Sequence, residues 1–298
     1  MKDVFIVNPK SGRNSQYHLM NEIKEHFQGK RILIEKTKYP GHATKIAKKY
    51  ARDPSEEIHM YVCGGDGTLH EVVNGIAGCS HIKIAIVPIG TGNDFIKSFP
   101  EYMKKDFLDL SRYTKPIEQN CDLIQVNGEY VLNTISFGFD VNVAQNVNKY
   151  RQKINVDGIM PYYLGMLASL LRPLGHTYRM IIEDHWIEGE YTFVVFCNGR
   201  YYGGGYKPCP KAQINDGKID VCLIKKVKRT QIVQLAKLYE EGKHTTYSEY
   251  VEMYQTDKIT LQTGTEALTG NLDGEIRTFK DPVIEIQRDA IHLLLPGK

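Results

Sequence analysis

From the N-terminus onward, unbroken apolar runs alternate with apolar positions spaced three and four apart. Val4-Phe5-Ile6-Val7 is a β-rich run, Leu19, Met20, Ile23 and Phe27 follow at helical spacing, and Ile32-Leu33-Ile34 is a second run. The rhythm repeats. Ala43, Ile46, Ala47, Tyr50 and Ala51 share a helix face, Met60-Tyr61-Val62-Cys63 reads as a strand, Leu69, Val72, Val73, Ile76 and Ala77 as a helix face, and Ile82 to Val87 as a fourth strand. Strands separated by helices, with no polar alternation inside the strands, predict an open parallel sheet. Such sheets bind ligands at the carboxyl ends of their strands, which singles out the loops after Val7, Ile34, Cys63 and Val87.

Beyond about Asn120 the pattern changes. Tyr130-Val131-Leu132, Phe193-Val194-Val195-Phe196, Ile219 to Ile224, Ile259 to Gln262 and Val283 to Ile286 are strand-like runs joined by turn residues. This part is predicted to be mainly β, with two helical interruptions. One covers Ile159 to Leu171; the other covers Thr230 to Glu241 and offers Ile232, Val233, Ala236, Leu238 and Tyr239 as a buried stripe.

The chain has 298 residues, which favours two lobes, each with its own core. The expected division is residues 1–120 and 121–287, with residues 288–298 as candidates to return to the first lobe. A formal net charge of +3 and 24% charged residues argue against a nucleic-acid binder. The six cysteines are scattered, without a C-x-x-C pair, and read as reduced thiols in a cytosolic protein. No secretion signal is read at the N-terminus, and the longest apolar stretch, Ile159 to Leu174, is interrupted by Pro161, Gly165, Arg172 and Pro173. It falls short of the roughly 20 residues that span a bilayer.

Gly64-Gly65-Asp66-Gly67-Thr68-Leu69-His70-Glu71-Val72-Val73-Asn74-Gly75 lies between a strand and a helix. Glycines there let backbone N–H groups approach a phosphate closely, and the helix that follows points its positive end at the same anion. Asp66 is placed to ligate a nucleotide's magnesium. Thr68 and Glu71 also fit an S/T-x-x-E capping box, which accounts for those two residues but not for glycines around an aspartate. Asn8-Pro9-Lys10-Ser11-Gly12 is a polar loop after the first strand, and by itself an ordinary turn signal. Pro88-Ile89-Gly90-Thr91-Gly92-Asn93-Asp94-Phe95 brings a hydroxyl, an amide and a carboxylate to the same sheet edge, and by itself reads equally as a helix cap.

Together these motifs, with Thr37 ahead of Gly41-His42-Ala43, resemble the diacylglycerol kinase catalytic-domain family, which includes bacterial lipid kinases and, more distantly, sphingosine and ceramide kinases. The resemblance continues through Asp122-Leu123, Gly203-Gly204-Gly205, Asp216-Gly217-Lys218-Ile219 and Asp273-Gly274-Glu275. It implies an α/β nucleotide-binding lobe similar to that of NAD kinases and phosphofructokinases, a β-sandwich-like second lobe, and an active site in the cleft. It implies ATP as phosphoryl donor and Mg2+ as cofactor. Nucleotide contacts would map onto Asn8, Pro9, Lys10, Ser11, Gly12, Thr37, Gly64, Gly65, Asp66, Gly67, Thr68, Leu69, His70 and Thr91, with Asn93 beside them. A second magnesium would sit on Asp216 and the backbone carbonyls of Gln213 and Lys218. A lysine or apolar residue is usual at those two carbonyl positions, so the departure here concerns side chains only.

Phosphoryl transfer needs positioned donors, magnesium and a group to receive the acceptor's proton. Asp66, Asp94, Asp122, Asp216, Asp273 and Glu275 supply carboxylates. Asp273 and Glu275 would point the same way if their segment is extended, whereas a turn at Gly274 would separate them. The residues alone do not rank the two as proton acceptor; the resemblance favours Glu275. His70 is read as contributing its backbone, and Cys63 as a buried strand residue rather than a nucleophile. Ile159 to Leu171 reads either as a lid over acyl chains or as a buried helix. Lys225, Lys226, Lys228 and Arg229 read either as a contact for anionic headgroups or as a solvated face.

The expectation is therefore a cytoplasmic, peripherally membrane-associated enzyme of phospholipid biosynthesis acting on a lipid hydroxyl, diacylglycerol first, with a homodimer left open. Two other readings compete with it. A kinase for a soluble acceptor such as NAD would share G-G-D-G-T but not G-T-G-N-D-F; a non-catalytic nucleotide-binding regulator would have no need of Asp66, Asp273 and Glu275.

Overall fold

The computed structural model describes residues 1–12, 15–153, 165, 168–170 and 174–298. Most of the apolar stretch Ile159 to Leu171 lies outside the described residues. The chain divides into two compact units, Met1–Leu123 with Arg288–Lys298, and Ile124–Gln287.

In the first unit, β1 (Lys2–Val7), β2 (Ile32–Lys36), β3 (Ile58–Gly64) and β4 (Ile82–Pro88) form a parallel sheet. The order is β2-β1-β3-β4, and the last residues of the chain's final strand, Val283–Leu295, add a further parallel strand beside β4. Helices α1 (Ser15–His26), α2 (His42–Ala51) and α3 (Asp66–Ile76) make the crossovers, and the short α4 (Lys104–Leu108) follows β4. Both faces of β1, β3 and β4 are covered, which is why their sequences are unbroken apolar runs. Phe5 stacks on Tyr61 with ring centres 4.3 Å apart, and Phe27 meets both edge-on at 5.1 Å.

The start of α3 departs from the capping-box reading. Its N-cap is Gly65, with no side chain capping it, so Thr68 stands inside the first turn. The Glu71 carboxylate turns instead to the neighbouring helix, accepting the Gly41 N–H at 2.7 Å and the Ala43 N–H at 3.0 Å. It thereby caps α2, whose own N-cap Gly41 has φ 82° and no side chain to offer. Close packing makes this reach short: a Cβ on Gly75 would lie 2.4 Å from the Ala47 Cβ.

The second unit is antiparallel. It holds the end of β5 (Ile117–Val126), then β6 (Glu129–Val131), β7 (Thr134–Gly138), β8 (His176–Ile182), β9 (His185–Cys197), β10 (Ile219–Lys225), β11 (Val251–Thr256), β12 (Lys258–Gln262), β13 (Leu268–Leu272), β14 (Glu275–Phe279) and the start of β15 (Val283–Leu295). The first half of β9 pairs with β8, while its second half runs between β7 and β10. β13 lies between β7 and β14. Phe137, Met180, Phe196, Val221 and Leu261 share one buried core. α5 (Phe139–Lys153) follows β7, and α6 (Arg229–Glu241) buries Ile232 and Tyr239, with Ala236 and Leu238 only partly covered. The cysteines are unpaired, and burial pushes the Cys63 thiol far up, which leaves it unreactive.

Candidate active site

Three loops meet at the carboxyl edge of the parallel sheet. The Asn8 amide donates to the Thr68 hydroxyl at 2.9 Å, tying the loop after β1 to the first turn of α3. Gly90 N–H donates to the Gly64 carbonyl at 3.0 Å, and a Cβ on Gly90 would lie 2.5 Å from the Gly65 Cα, so the loops after β3 and β4 touch backbone to backbone. Thr37 hangs from β1 through its N–H to the Val7 carbonyl at 2.9 Å, which keeps the loop after β2 on the same edge. Glu71, by capping α2, fixes Gly41 and His42 to the glycine-rich block.

Around this edge Pro9, Lys10, Gly67 and Thr91 are exposed, Ser11, Gly12, Thr37, Gly65 and Asp66 are partly exposed, and Gly64, Thr68, Leu69 and His70 are buried. A side chain on Gly67 would meet nothing within 4 Å, so the backbone at the tip of α3 is open to an approaching anion. Asn93 does something other than reach outward. It sits at φ 51° and donates its amide to the Gly90 carbonyl at 2.6 Å and the Pro88 carbonyl at 3.3 Å, holding the loop closed from inside. His70 is a buried helix residue bonded to Asn74 through its carbonyl, at 3.0 Å.

Asp66 occupies the first helical position of α3, and its Oδ1 accepts the Asp94 N–H at 2.7 Å. Burial, and then the Asp94 charge, push its carboxyl up to about 6, partly offset by the N–H groups of Asp94, Phe95 and Asn93. Two cations stand nearby that the sequence did not mark out. Lys97 pairs with Asp94 at 2.6 Å, and Lys104 donates to the Gly90 carbonyl at 2.9 Å while burial lowers its pKa. Asp122 is buried away from solvent and accepts the Asp289 N–H at 2.8 Å.

In the second unit the segment Asp273-Gly274 is a two-residue hairpin turn between β13 and β14, with φ 49° and 102°. The extended alternative does not occur, and the two carboxylates have different surroundings. Asp273 accepts N–H groups from Leu132 at 2.7 Å, Asn133 at 2.9 Å and Thr134 at 3.0 Å, which anchors the turn to the strand ahead of it. Glu275 is exposed, 3.5 Å from Arg277, which itself pairs with Glu129 at 3.0 Å.

The loop ahead of β10 carries Gln213, exposed, and Asp216 and Lys218, partly exposed. Asp216 Oδ1 accepts the Lys218 N–H at 3.0 Å, and Gly217 takes φ 70°. Behind the loop lies Asp220, which sequence reasoning missed. One of its oxygens accepts from Gln255 at 3.1 Å, the other is buried without a hydrogen-bond partner, and burial followed by the Asp216 charge pushes its carboxyl up to about 6. A carboxylate and backbone carbonyls are the donor types that a hard divalent cation takes. Among the described residues, the side-chain donors that converge as a potential metal cluster are Glu22, Glu25 and His26, on α1.

Among the described residues, two of the four cations in the basic run are paired with carboxylates. Lys225 pairs with Glu252 at 3.0 Å, Lys226 with Glu190 at 2.9 Å, and Arg229 donates to the Leu170 carbonyl at 2.8 Å. Among the described residues no helix is long and apolar enough to cross a membrane.

A parallel α/β unit with anion-type loops on one sheet edge, followed by an antiparallel β unit, is the build of a two-lobed kinase. Residues 2–126 match the family described as diacylglycerol kinase catalytic domain, and residues 133–295 match that described as YegS C-terminal NAD kinase beta sandwich-like domain. The chain therefore belongs to the diacylglycerol kinase catalytic-domain family of lipid kinases. A Staphylococcus haemolyticus protein named "Putative lipid kinase" is 26% identical over 297 residues, covering 98% of this chain and 95% of its own. A Bacillus subtilis protein with the same description is 28% identical over 294 residues, covering 91% and 92%. A crystal structure of a diacylglycerol kinase from Bacillus anthracis shares the fold, with TM-score 0.75, 22% identity, and coverage of 99% of this chain and 96% of that one.

Proposed function

We propose that this chain transfers the γ-phosphoryl group of ATP, with Mg2+, to the hydroxyl of a membrane lipid, diacylglycerol first, yielding phosphatidic acid. The observation that carries the reading is the junction of three loops at one sheet edge, held by the Asn8–Thr68 and Gly90–Gly64 bonds, with the backbone at Gly67 left open. Asn8 to Gly12, Thr37, Gly64 to His70 and Thr91 would bind and orient the triphosphate, with Asn93 holding the shape of the last loop. Asp66 would hold the nucleotide's magnesium, and Asp216 with the Gln213 and Lys218 carbonyls the second ion. Bound magnesium neutralises charge on the phosphates. Glu275, solvent-accessible and not consumed by backbone donors, receives the acceptor proton, while Asp273 keeps the turn in place.

The enzyme would work in the cytoplasm against the inner face of the membrane, entering only at the surface. With Lys225 and Lys226 paired to Glu252 and Glu190, and the exposed Lys228 and Arg229 able to meet headgroups, anionic lipid is expected to raise the rate only modestly. The acceptor is tested with radiolabelled ATP offered in parallel to diacylglycerol, monoacylglycerol, sphingosine, ceramide, phosphatidylglycerol, undecaprenol and NAD. Label in phosphatidic acid supports the reading; label in NAD phosphate alone, or in nothing, overturns it.

A further inference from the structure

Asp140 is a partly buried carboxylate to which none of the sequence motifs assigns a part. Asp140 stands at the start of α5, directly after β7, and three polar side chains converge on it. Ser136 Oγ donates to its Oδ2, Tyr202 OH donates to its Oδ1 at 2.8 Å, and the Asn271 side chain bonds it as well. These partners come from three separate stretches: β7, the loop carrying Gly203 to Gly205, and β13. Ser136 is fully buried and Asn271 is 6% exposed. Register brings two of them together, since Asn271 faces Ser136 across the β7–β13 ladder. The strands are pressed close there, for a Cβ on Gly270 would lie 2.6 Å from the Phe137 ring.

An asparagine amide presents an acceptor on one side and two donors on the other. Asn271 Oδ1 accepts the Gly274 N–H at 3.0 Å, inside the turn that leads to Glu275. A carboxylate offers acceptors only, so Asp140 can bind only the NH2 side of that amide. This forbids the flipped orientation, in which the NH2 group would confront the Gly274 N–H. Tyr202 is fixed in the same way. Its hydroxyl gives its proton to Asp140 and stands 3.2 Å from the Tyr239 hydroxyl, which is then the donor of that pair. Desolvation drives the Asp140 carboxyl up, and its three donors pull it back down, as suits an acceptor kept for orientation.

We propose that Asp140 is a positioning residue for the acceptor-side turn: it locks the Asn271 amide, Asn271 holds Gly274, and the turn so fixed aims Glu275. The proposal rests on Glu275 as proton acceptor, and it deepens that reading by naming what holds the carboxylate in place. Misplacing a reacting group by about 1 Å costs on the order of 10²-fold.

The test compares the full-length parent with Asp140→Asn, Glu275→Gln and the double variant, reading kcat, KM for ATP, melting temperature and hydrogen exchange at the Gly274 amide. Asp140→Asn is expected to lower kcat about tenfold to a hundredfold with ATP KM within about twofold, to speed exchange at Gly274, and to add nothing in the Glu275→Gln background. Tyr202→Phe, which removes one donor and no charge, should shift kcat and exchange the same way by less, and it decides the matter if Asp140→Asn does not fold. A lower melting temperature with parental kcat and parental Gly274 exchange overturns the proposal. Parental turnover in Glu275→Gln instead overturns the proton-acceptor reading, and Gly274 exchange then still decides whether Asp140 sets the turn.

Discussion

Asp273 and Glu275 stand two residues apart, yet replacing them should damage different properties. In Asp273→Asn the best rotamer keeps one oxygen on the Asn133 and Thr134 N–H groups and turns an NH2 toward the Leu132 N–H. One charge-assisted bond is lost, two become neutral, and a donor faces a donor. At about 1.5–3 kcal/mol for a bond to a charged group and about half that for a neutral one, the loss is about 3–6 kcal/mol. For a protein of this size that lowers the melting temperature by roughly 5–10 °C. Glu275→Gln removes only an exposed pair with Arg277 at 3.5 Å, worth at most about 1 kcal/mol, and should leave the melting temperature within about 4 °C of the parent. Its turnover should nevertheless fall by about 10² to 10⁴ if Glu275 receives the proton. Thermal unfolding by circular dichroism and lipid phosphorylation are measured on the same preparations. An Asp273→Asn protein that melts like the parent but has lost all turnover, or a Glu275→Gln protein at parental turnover, would refute this division of labour.

Two further outcomes are expected. The rise of the Asp66 carboxyl from 3.8 to about 6 means that ionising it opposes folding, by at most about 3 kcal/mol, in a penalty that grows as pH climbs from about 4 to about 6 and is complete above that. Nucleotide-free Asp66→Asn should therefore be at least as stable as the parent at pH 7, lose its advantage near pH 4, and still show little activity; denaturant unfolding at the two pH values checks it. Millimolar MgCl2 should raise the melting temperature of the parent but not of Asp216→Ala, and equal shifts would reduce that loop to an ordinary turn.

The first unit was legible because burial of both strand faces writes itself into sequence as unbroken runs, while α2 and α3 show their apolar faces at helical spacing. Even there Glu71 misled. A capping box and a cap on a neighbouring helix use the same glutamate, and only the approach of Gly75 to Ala47 decides between them. In the second unit the antiparallel character was readable, but the β8–β9 hairpin was not: its outer positions Arg179, Glu188 and Glu190 are exposed and polar, and no long apolar run announces it. Asp140, Asn271 and Tyr202 were invisible for another reason. They are 131 and 62 residues from one another along the chain, counted from Asp140, and only strand register makes them neighbours. Asp220 gave no signal beyond a single aspartate in a β run, whereas Asp273 and Glu275 were found but could not be told apart until the turn between them was seen.

The central claim is that the open backbone at the tip of α3 receives the phosphates, and Gly67→Glu tests it most directly. Gly67 has no positive φ, a side chain there meets nothing within 4 Å, and an acidic residue in the first turn suits the helix dipole, so the fold should keep or slightly gain stability. The added carboxylate would lie where the triphosphate must approach. The measurement is transfer of label from ATP to diacylglycerol in mixed micelles, on protein shown to melt no lower than the parent. Transfer abolished at parental stability is the predicted result; a well-folded Gly67→Glu protein that phosphorylates lipid at the parental rate, with an unchanged KM for ATP, would contradict it.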